Sequence, residues 1–134
     1  ELVKGTYYLP TILGTVSNTD RICREEVFGP VLAVMAFDSE DQMTALANDN
    51  EYGLACGIWT KDFPKAWRMA RAIRAGTVWI NNYRSTSFTS PFGGYKHSGI
   101  GREGGFEAVK EYMETKSVWI STDLDMPNPF VRKY

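Results

Sequence analysis

The sequence predicts an α/β fold with a mostly parallel, doubly wound sheet, and three observations lead to this fold class. A continuous apolar run at 31–37 has the composition of a strand that is buried on both faces. Apolar residues spaced three and four apart over 62–76 have the period of an amphipathic helix. A short strand pattern follows directly at 77–81. Strands that alternate with helices in this way are typical of parallel sheets.

Turn and capping residues delimit the first strand and helix. Pro30 precedes the apolar run 31–37, which we interpret as the strand. Ser39 and Gln42 form a capping box, in which each side chain bonds a free backbone N–H at the start of a helix. We therefore predict a helix from this box to about Asn48.

A second strand and helix follow in the same order. The run 54–60 predicts a short buried strand, and Asp62 predicts the N-cap of a helix with Pro64 in its first turn. Gly76 is placed to end that helix. Four residues form the face that we expect to be buried: Ala66, Trp67, Ala70 and Ile73.

The C-terminal third begins with the strand 77–81. A Ser/Gly-rich stretch follows at 83–105, then a predicted helix at 106–115 and a strand-like alternation at 117–122. Residues 123–134 read as an extended tail.

Composition excludes several classes of protein. The 134 residues allow one core, and 15 basic against 16 acidic residues favour neither nucleic acid nor an anionic membrane as a partner. No apolar run reaches the roughly 18 residues of a membrane span. Cys23 and Cys56 are too few for a disulfide framework and lack a metal-ligand spacing, so we expect no metal and a cytoplasmic location.

Residues 25–30 form the first candidate site. A carboxylate before the Gly-Pro turn could accept hydrogen bonds from sugar hydroxyls, and Phe28 could pack on a flat heterocycle. The alternative is an acidic helix end, a turn and one core phenylalanine, which composition alone favours.

A second candidate is the glycine-rich segment 90–103, whose glycines allow left-handed backbone and close approach. It could cradle a phosphate, but it matches neither common phosphate-loop pattern, so a connector that holds a neighbouring loop is favoured. Asn81 is the third candidate, because open α/β sheets bind ligands at the C-terminal ends of their strands. It could orient a ligand or cap a turn.

Six segments, taken in order, make this sequence resemble the aldehyde dehydrogenase superfamily over nearly its whole length. They are YYLPT at 7–11, EEVFGPV at 25–31, YGLA at 52–55, GTVWIN at 76–81, SPFGGYK at 90–96 and SGIGRE at 98–103. The stretch KSVWI at 116–120 is more similar to betaine-aldehyde or semialdehyde dehydrogenases than to other branches.

The resemblance implies part of a catalytic domain that oxidises an aldehyde to an acid. In that family a thiohemiacetal forms, a hydride passes to NAD or NADP, and a thioester is hydrolysed. The resemblance assigns Glu26 to the nicotinamide-side ribose and Phe28 to the nicotinamide ring. It also assigns Phe92 to a wall of the substrate tunnel, and Arg84 and Thr86 to the loop that contacts the aldehyde's tail.

Two further roles follow from the resemblance alone. Asn81 matches an asparagine behind the catalytic centre, and Arg102 with Glu114 matches a structural ion pair near the subunit contact. Residues 1–115 are expected to be the C-terminal part of the catalytic domain. Residues 116–134 are expected to be an oligomerisation strand and tail, so a homo-oligomer is expected.

The family's nucleophilic cysteine, general-base glutamate and nucleotide-binding units have no counterpart in this sequence. The chain therefore resembles about the last quarter of a full-length member, and we predict that it is inactive alone. Its expected partners are an aldehyde and the rest of such a chain. The rival interpretation is a free-standing binding or assembly module.

Overall fold

The computed structural model describes residues 4–122, 130 and 131. The strands are β1 (Thr11–Leu13), β2 (Val31–Ala33), β3 (Tyr52–Gly53), β4 (Ala55–Ile58), β5 (Thr77–Ile80) and β6 (Tyr95–Lys96). The helices are α1 (Arg21–Arg24), α2 (Glu40–Asn48), α3 (Phe63–Ala72) and α4 (Gly105–Lys110). The predicted tail at 123–134 lies almost entirely outside the described residues.

The described strands pair two by two. β1 with β2 and β4 with β5 are parallel, whereas β3 with β6 is antiparallel. The helix α3 connects β4 to β5, so these three elements form one parallel crossover unit. The structure thus confirms the α/β class and the prevalence of parallel pairing.

Local capping explains where the two long helices begin. Ser39 Oγ accepts a hydrogen bond from the N–H of Gln42 at 3.1 Å, and Gln42 Oε1 accepts one from the N–H of Asp38 at 2.6 Å. At the start of α3, Asp62 Oδ1 accepts from the N–H of Lys65 at 3.0 Å. Both predicted helix starts are confirmed.

The buried face of α3 differs from the predicted one. Ala66, Met69 and Ile73 are the buried apolar residues of the described chain, with exposures of 0%, 3% and 8%. Trp67 is 56% exposed, so its predicted burial is wrong. These buried residues are spaced three and four apart on the side of α3 that packs against β4 and β5, and Trp67 points away from it.

The described part of the chain does not close a core of its own. The chain exposes 12168 Å², whereas a compact monomer of its 15.1 kDa mass exposes about 7,100 Å². The predicted buried strand at 31–37 is shortened to β2, and Leu32 and Phe37 are 58% and 50% exposed. These apolar faces lack a covering layer in the described part of the chain.

One C-terminal prediction needs correction. The helix α4 ends at Lys110 instead of 115, and Phe106 within it is 88% exposed. Residues 117–122 have no ladder partner among the described residues, and the predicted oligomerisation strand, which would pair with another subunit, stays a prediction. The Ser/Gly-rich stretch 83–105 contains β6 and an antiparallel bridge between Phe92 and Glu103.

Candidate functional site

The C-terminal end of α2, residues 48–51, joins three parts of the chain, and we call it the α2 terminus. Lys96 Nζ donates to the carbonyl oxygens of Asn48 at 2.9 Å and Asn50 at 2.8 Å. Carbonyls at a helix end lack partners within the helix and attract cations. The ammonium group of Lys96 therefore attaches the glycine-rich segment to α2, a role that the sequence analysis missed.

The α2 terminus also holds the segment that carries Glu26. Arg24 Nη2 contacts Asp49 Oδ2 at 2.7 Å, and Asn50 Nδ2 donates to the carbonyl of Cys23 at 3.2 Å. The hydrogen bond from the Arg24 guanidinium holds the pKa of the Asp49 carboxyl below its ordinary value. The predicted cofactor-side residue thus follows directly after an anchored helix.

Glu26 and Phe28 are both accessible. Glu26 is exposed and lines an open depression of about 290 Å³ with Tyr52, Leu54 and Ser98 among its other walls. Phe28 is 89% exposed, with φ of 53°, so it is not a core residue of this chain. An accessible carboxylate and an accessible ring are thus available for the ribose and nicotinamide contacts that the resemblance implies for them.

The glycine-rich segment packs its backbone closely against neighbouring strands. A Cβ on Gly76 would collide with the carbonyl oxygen of Gly93. Ser98 Oγ accepts a hydrogen bond from the N–H of Gly53 at 2.9 Å. These contacts favour the connector interpretation over a phosphate cradle.

Asn81 is used to join β4 to β5. Its Oδ1 accepts from the N–H of Thr60 at 2.9 Å, and its Nδ2 donates to the carbonyl of Thr60 at 2.8 Å. Its own N–H donates to the carbonyl of Ile58 at 2.7 Å. Both ends of the amide are therefore engaged with backbone, as in the turn-capping alternative, and Asn81 lines a depression of about 300 Å³.

Thr86 and Phe92 lie together in one cleft against β5, of about 370 Å³. The backbones of Phe92 and Glu103 exchange two hydrogen bonds of 2.7 Å, which hold that side of the cleft. We call it the β5 cleft, and its full lining is Thr77, Val78, Trp79, Ser85, Thr86, Ser87, Ser90, Pro91 and Phe92.

An aromatic cluster beside the β5 cleft was not predicted. The ring of Tyr83 lies 5.4 Å from Trp79 and 6.2 Å from Trp59 between centroids. The guanidinium carbon of Arg84 lies 5.7 Å from the Tyr83 ring centroid. Trp79 Nε1 donates to the carbonyl of Ser85 at 2.8 Å, so the loop that carries Arg84 is attached to β5.

The predicted ion pair between Arg102 and Glu114 is wrong for this chain. Arg102 Nη1 instead donates to the carbonyls of Gly94 at 3.1 Å and Gly101 at 2.6 Å. Its guanidinium also lies 5.5 Å from the Tyr95 ring centroid. The arginine therefore stabilises the glycine-rich segment itself.

Neither thiol is arranged as a nucleophile. Burial raises the pKa of the Cys56 thiol, which disfavours the thiolate. The arginines on either side of Cys23 pair with other groups, Arg21 with Glu25 and Arg24 with Asp49. Among the described residues no cluster of His, Cys, Asp and Glu could hold a metal, and no helix is long and apolar enough to cross a membrane.

Comparison with known proteins gives consistent matches. Residues 1–118 match the sequence profile described as the aldehyde dehydrogenase family. A betaine aldehyde dehydrogenase of Mesorhizobium japonicum is 46% identical over 126 residues, 94% of this chain and 26% of the relative. The NADP/NAD-dependent aldehyde dehydrogenase PuuC of Escherichia coli is 47% identical over 85% of this chain and 23% of its own.

Solved structures agree with the sequence matches. A betaine aldehyde dehydrogenase of Staphylococcus aureus in complex with NAD+ has a TM-score of 0.85 at 43% identity, covering 92% of this chain and 25% of that one. An indole-3-acetaldehyde dehydrogenase of P. syringae, with NAD+ and IAA, has a TM-score of 0.79 at 50% identity, covering 83% and 22%. The chain spans about a quarter of the length of these relatives.

Proposed function

Because this chain belongs to the aldehyde dehydrogenase family, we propose that it is the C-terminal part of an enzyme that oxidises an aldehyde to a carboxylic acid with NAD or NADP. The observation that carries the proposal is similarity at 46% identity over 94% of the chain to an enzyme of that activity. A homo-oligomer and a cytoplasmic location belong to the same proposal.

Glu26 and Phe28 form the cofactor side of the proposed site. The bound nucleotide would supply the acceptor for the hydride that leaves the substrate. The exposed carboxylate of Glu26 would accept hydrogen bonds from ribose hydroxyls, and the exposed ring of Phe28 would pack against the nicotinamide. The ion pair between Arg24 and Asp49 supports this placement, since it holds the preceding helix.

The β5 cleft forms the substrate side of the proposed site. Phe92 supplies an apolar wall, and Thr86 supplies a hydroxyl at the same opening. Arg84 lies on the attached loop beside that opening. Asn81 would act indirectly in this proposal, by keeping the ends of β4 and β5 together behind the loop.

Covalent catalysis needs a positioned thiolate and donors for the developing oxyanion. Cys56 disfavours its thiolate, and Cys23 does not stand in the family's nucleophile segment. These groups would come from the rest of a longer chain. The extent of exposed apolar surface supports this division, because such surface is normally covered.

An assay of two proteins tests the proposal. A full-length protein that contains these residues should form NADH or NADPH when given an aldehyde, whereas the isolated 134-residue chain should not exceed a protein-free control. Formation of the reduced cofactor is read from its ultraviolet absorbance. Turnover by the isolated chain that persists in Cys23→Ala and Cys56→Ala variants would contradict the proposal that the nucleophile comes from the rest of a longer chain. No turnover by the full-length protein would favour the assembly-module interpretation.

A further inference from the structure

We propose that the β5 cleft selects aldehydes whose tail carries a carboxylate and disfavours aldehydes whose tail is a quaternary ammonium group. This inference rests on the proposed function and names the substrate class of that site. It separates this chain from the betaine aldehyde dehydrogenases that it resembles in sequence, since betaine aldehyde carries a permanent positive charge.

The first support is the charge of the segment that forms the cleft and its loops. Residues 77–102 include Arg84, Lys96 and Arg102 but no aspartate or glutamate. Lys96 and Arg102 are committed to backbone carbonyls. Among the described residues Arg84 has no ion-pair partner, so its charge is available next to Ser85, which lines the cleft. Glu103 follows the segment and lines an adjoining depression.

The second support is that the aromatic cluster already binds a cation, the side chain of Arg84. Aromatic faces are the usual protein groups that bind quaternary ammonium ions. In this chain the guanidinium of Arg84 already lies 5.7 Å from the Tyr83 ring centroid. A second cation at the same cluster would be repelled by Arg84, because like charges a few ångströms apart are only partly screened near a protein surface. An anionic tail would gain from the same charge.

The third support is the lining of the cleft, which holds hydroxyl groups and no carboxylate. Thr77 Oγ1 is buried and has no hydrogen-bond partner, and Thr86 and Ser90 add further hydroxyls. Hydroxyl groups donate to carboxylate oxygens, whereas a quaternary ammonium group offers no N–H to them. The hydroxyl groups of the lining and the charge of Arg84 beside it therefore favour the same sign of charge on the ligand.

The loop also holds Arg84 in a defined place. Ser85, the next residue, accepts from Trp79 Nε1 at 2.8 Å through its carbonyl and from Asn82 Nδ2 at 2.6 Å through its hydroxyl. A loop held by two hydrogen bonds at the residue after the arginine loses less entropy when a ligand binds. A guanidinium can then bind a carboxylate through two parallel hydrogen bonds.

Two matched pairs of aldehydes test the proposal in the full-length enzyme. The first pair is succinic semialdehyde and its uncharged methyl ester. The second is betaine aldehyde and its carbon analogue, in which a tert-butyl group replaces the trimethylammonium group. Within each pair the size is similar and the charge differs, so the ratio of kcat/KM values reports the charge preference. The uncharged members also report that a variant is folded and active.

The wild type should favour succinic semialdehyde over its ester roughly tenfold or more, the range of one charge-assisted pair, and should disfavour betaine aldehyde against its carbon analogue. Arg84→Gln should remove both preferences, whereas Arg84→Lys should retain their sign. The control Arg71→Gln removes the same charge from the exposed side of α3 and should change neither ratio.

A wild-type preference for betaine aldehyde over its carbon analogue would overturn the inference and leave the proposed function standing. Equal changes for all four aldehydes in Arg84→Gln would do the same. No oxidation of any of the four would overturn both the inference and the proposed function.

Discussion

Phe28, Asn81, Arg84 and Lys96 are the non-glycine residues with positive φ in the described chain, at 53°, 52°, 61° and 53°. Left-handed backbone costs a non-glycine residue free energy and is common at functional sites. The first three are among the residues that the sequence resemblance assigned to the site, and Lys96 attaches the glycine-rich segment to α2. Backbone strain in this chain is therefore concentrated around the proposed site.

Glu26→Gln should weaken cofactor positioning in the full-length enzyme without unfolding it. An exposed carboxylate that accepts hydrogen bonds from hydroxyls contributes roughly 1.5–3 kcal/mol, so a loss of roughly 10- to 150-fold in kcat/KM for the cofactor is expected. Steady-state kinetics and cofactor titration measure this loss.

Glu107→Gln is the matched control for that experiment. Glu107 is exposed on α4, outside residues 25–30 and outside the depression that Glu26 lines. Its variant should keep wild-type cofactor kinetics. Wild-type kinetics in Glu26→Gln itself would show that this carboxylate does not contact the cofactor.

Among the elements, α2 is the one whose C-terminal end binds three other parts of the chain. Its last carbonyls bind Lys96 from the glycine-rich segment, and Asp49 binds Arg24 from α1. Asn48 also joins α3, since its Nδ2 donates to the carbonyl of Ala72 at 2.9 Å and its Oδ1 accepts from the N–H of Arg74 at 2.7 Å. The helix thus connects the cofactor side of the proposed site to the connector that carries the substrate side.

Lys96→Met should destabilise the protein, because two carbonyls at the α2 terminus lose a charged donor in a partly buried place. The expected loss in the free energy of unfolding is about 1.5–3 kcal/mol, measured by denaturant titration of the full-length protein. Lys65→Met is the control, because its ammonium makes a longer contact of 3.5 Å with Glu40. Equal stability of the two variants would contradict a structural role for Lys96.

For the molecule as a whole, the main feature is that many large apolar side chains are exposed to solvent. The exposed fractions of Val118, Trp119 and Ile120 are 72%, 94% and 84%. The alternative that this segment pairs within its own chain finds no support among the described residues, where 117–122 joins no strand. Its predicted role as a subunit-contact strand stays a prediction.

Trp119→Lys should lower the oligomeric state of the full-length enzyme at micromolar concentration. Burial of Trp119 and Ile120 against a partner contributes on the order of 1.5–3 kcal/mol each, and a lysine at the first position removes its share. Truncation after Thr115 should act in the same direction, and Trp67→Lys is a control at an exposed tryptophan outside the segment. An unchanged mass by light scattering for both test variants would show that the segment does not hold the assembly together.

Short-range interactions explain which features of the fold could be predicted from the sequence. The capping residues Ser39 and Asp62 act on N–H groups three positions away, so the starts of α2 and α3 could be predicted. The crossover from β4 through α3 to β5 could be predicted from the spacing of the apolar residues and from the lengths of the three segments. The order of the short motifs also indicated the family. The residues of the proposed site were then assigned from that resemblance.

The contacts between groups that lie far apart in the sequence could not be predicted and are seen only in the folded chain. Lys96 reaches carbonyls more than forty residues earlier in the chain, and Arg102 binds nearby carbonyls instead of Glu114. The burial of Met69 in place of Trp67 depends on where β4 and β5 lie beside α3. Such contacts depend on how the helices and strands are placed relative to one another. The spacing of apolar side chains and the capping residues predict each element but not this placement.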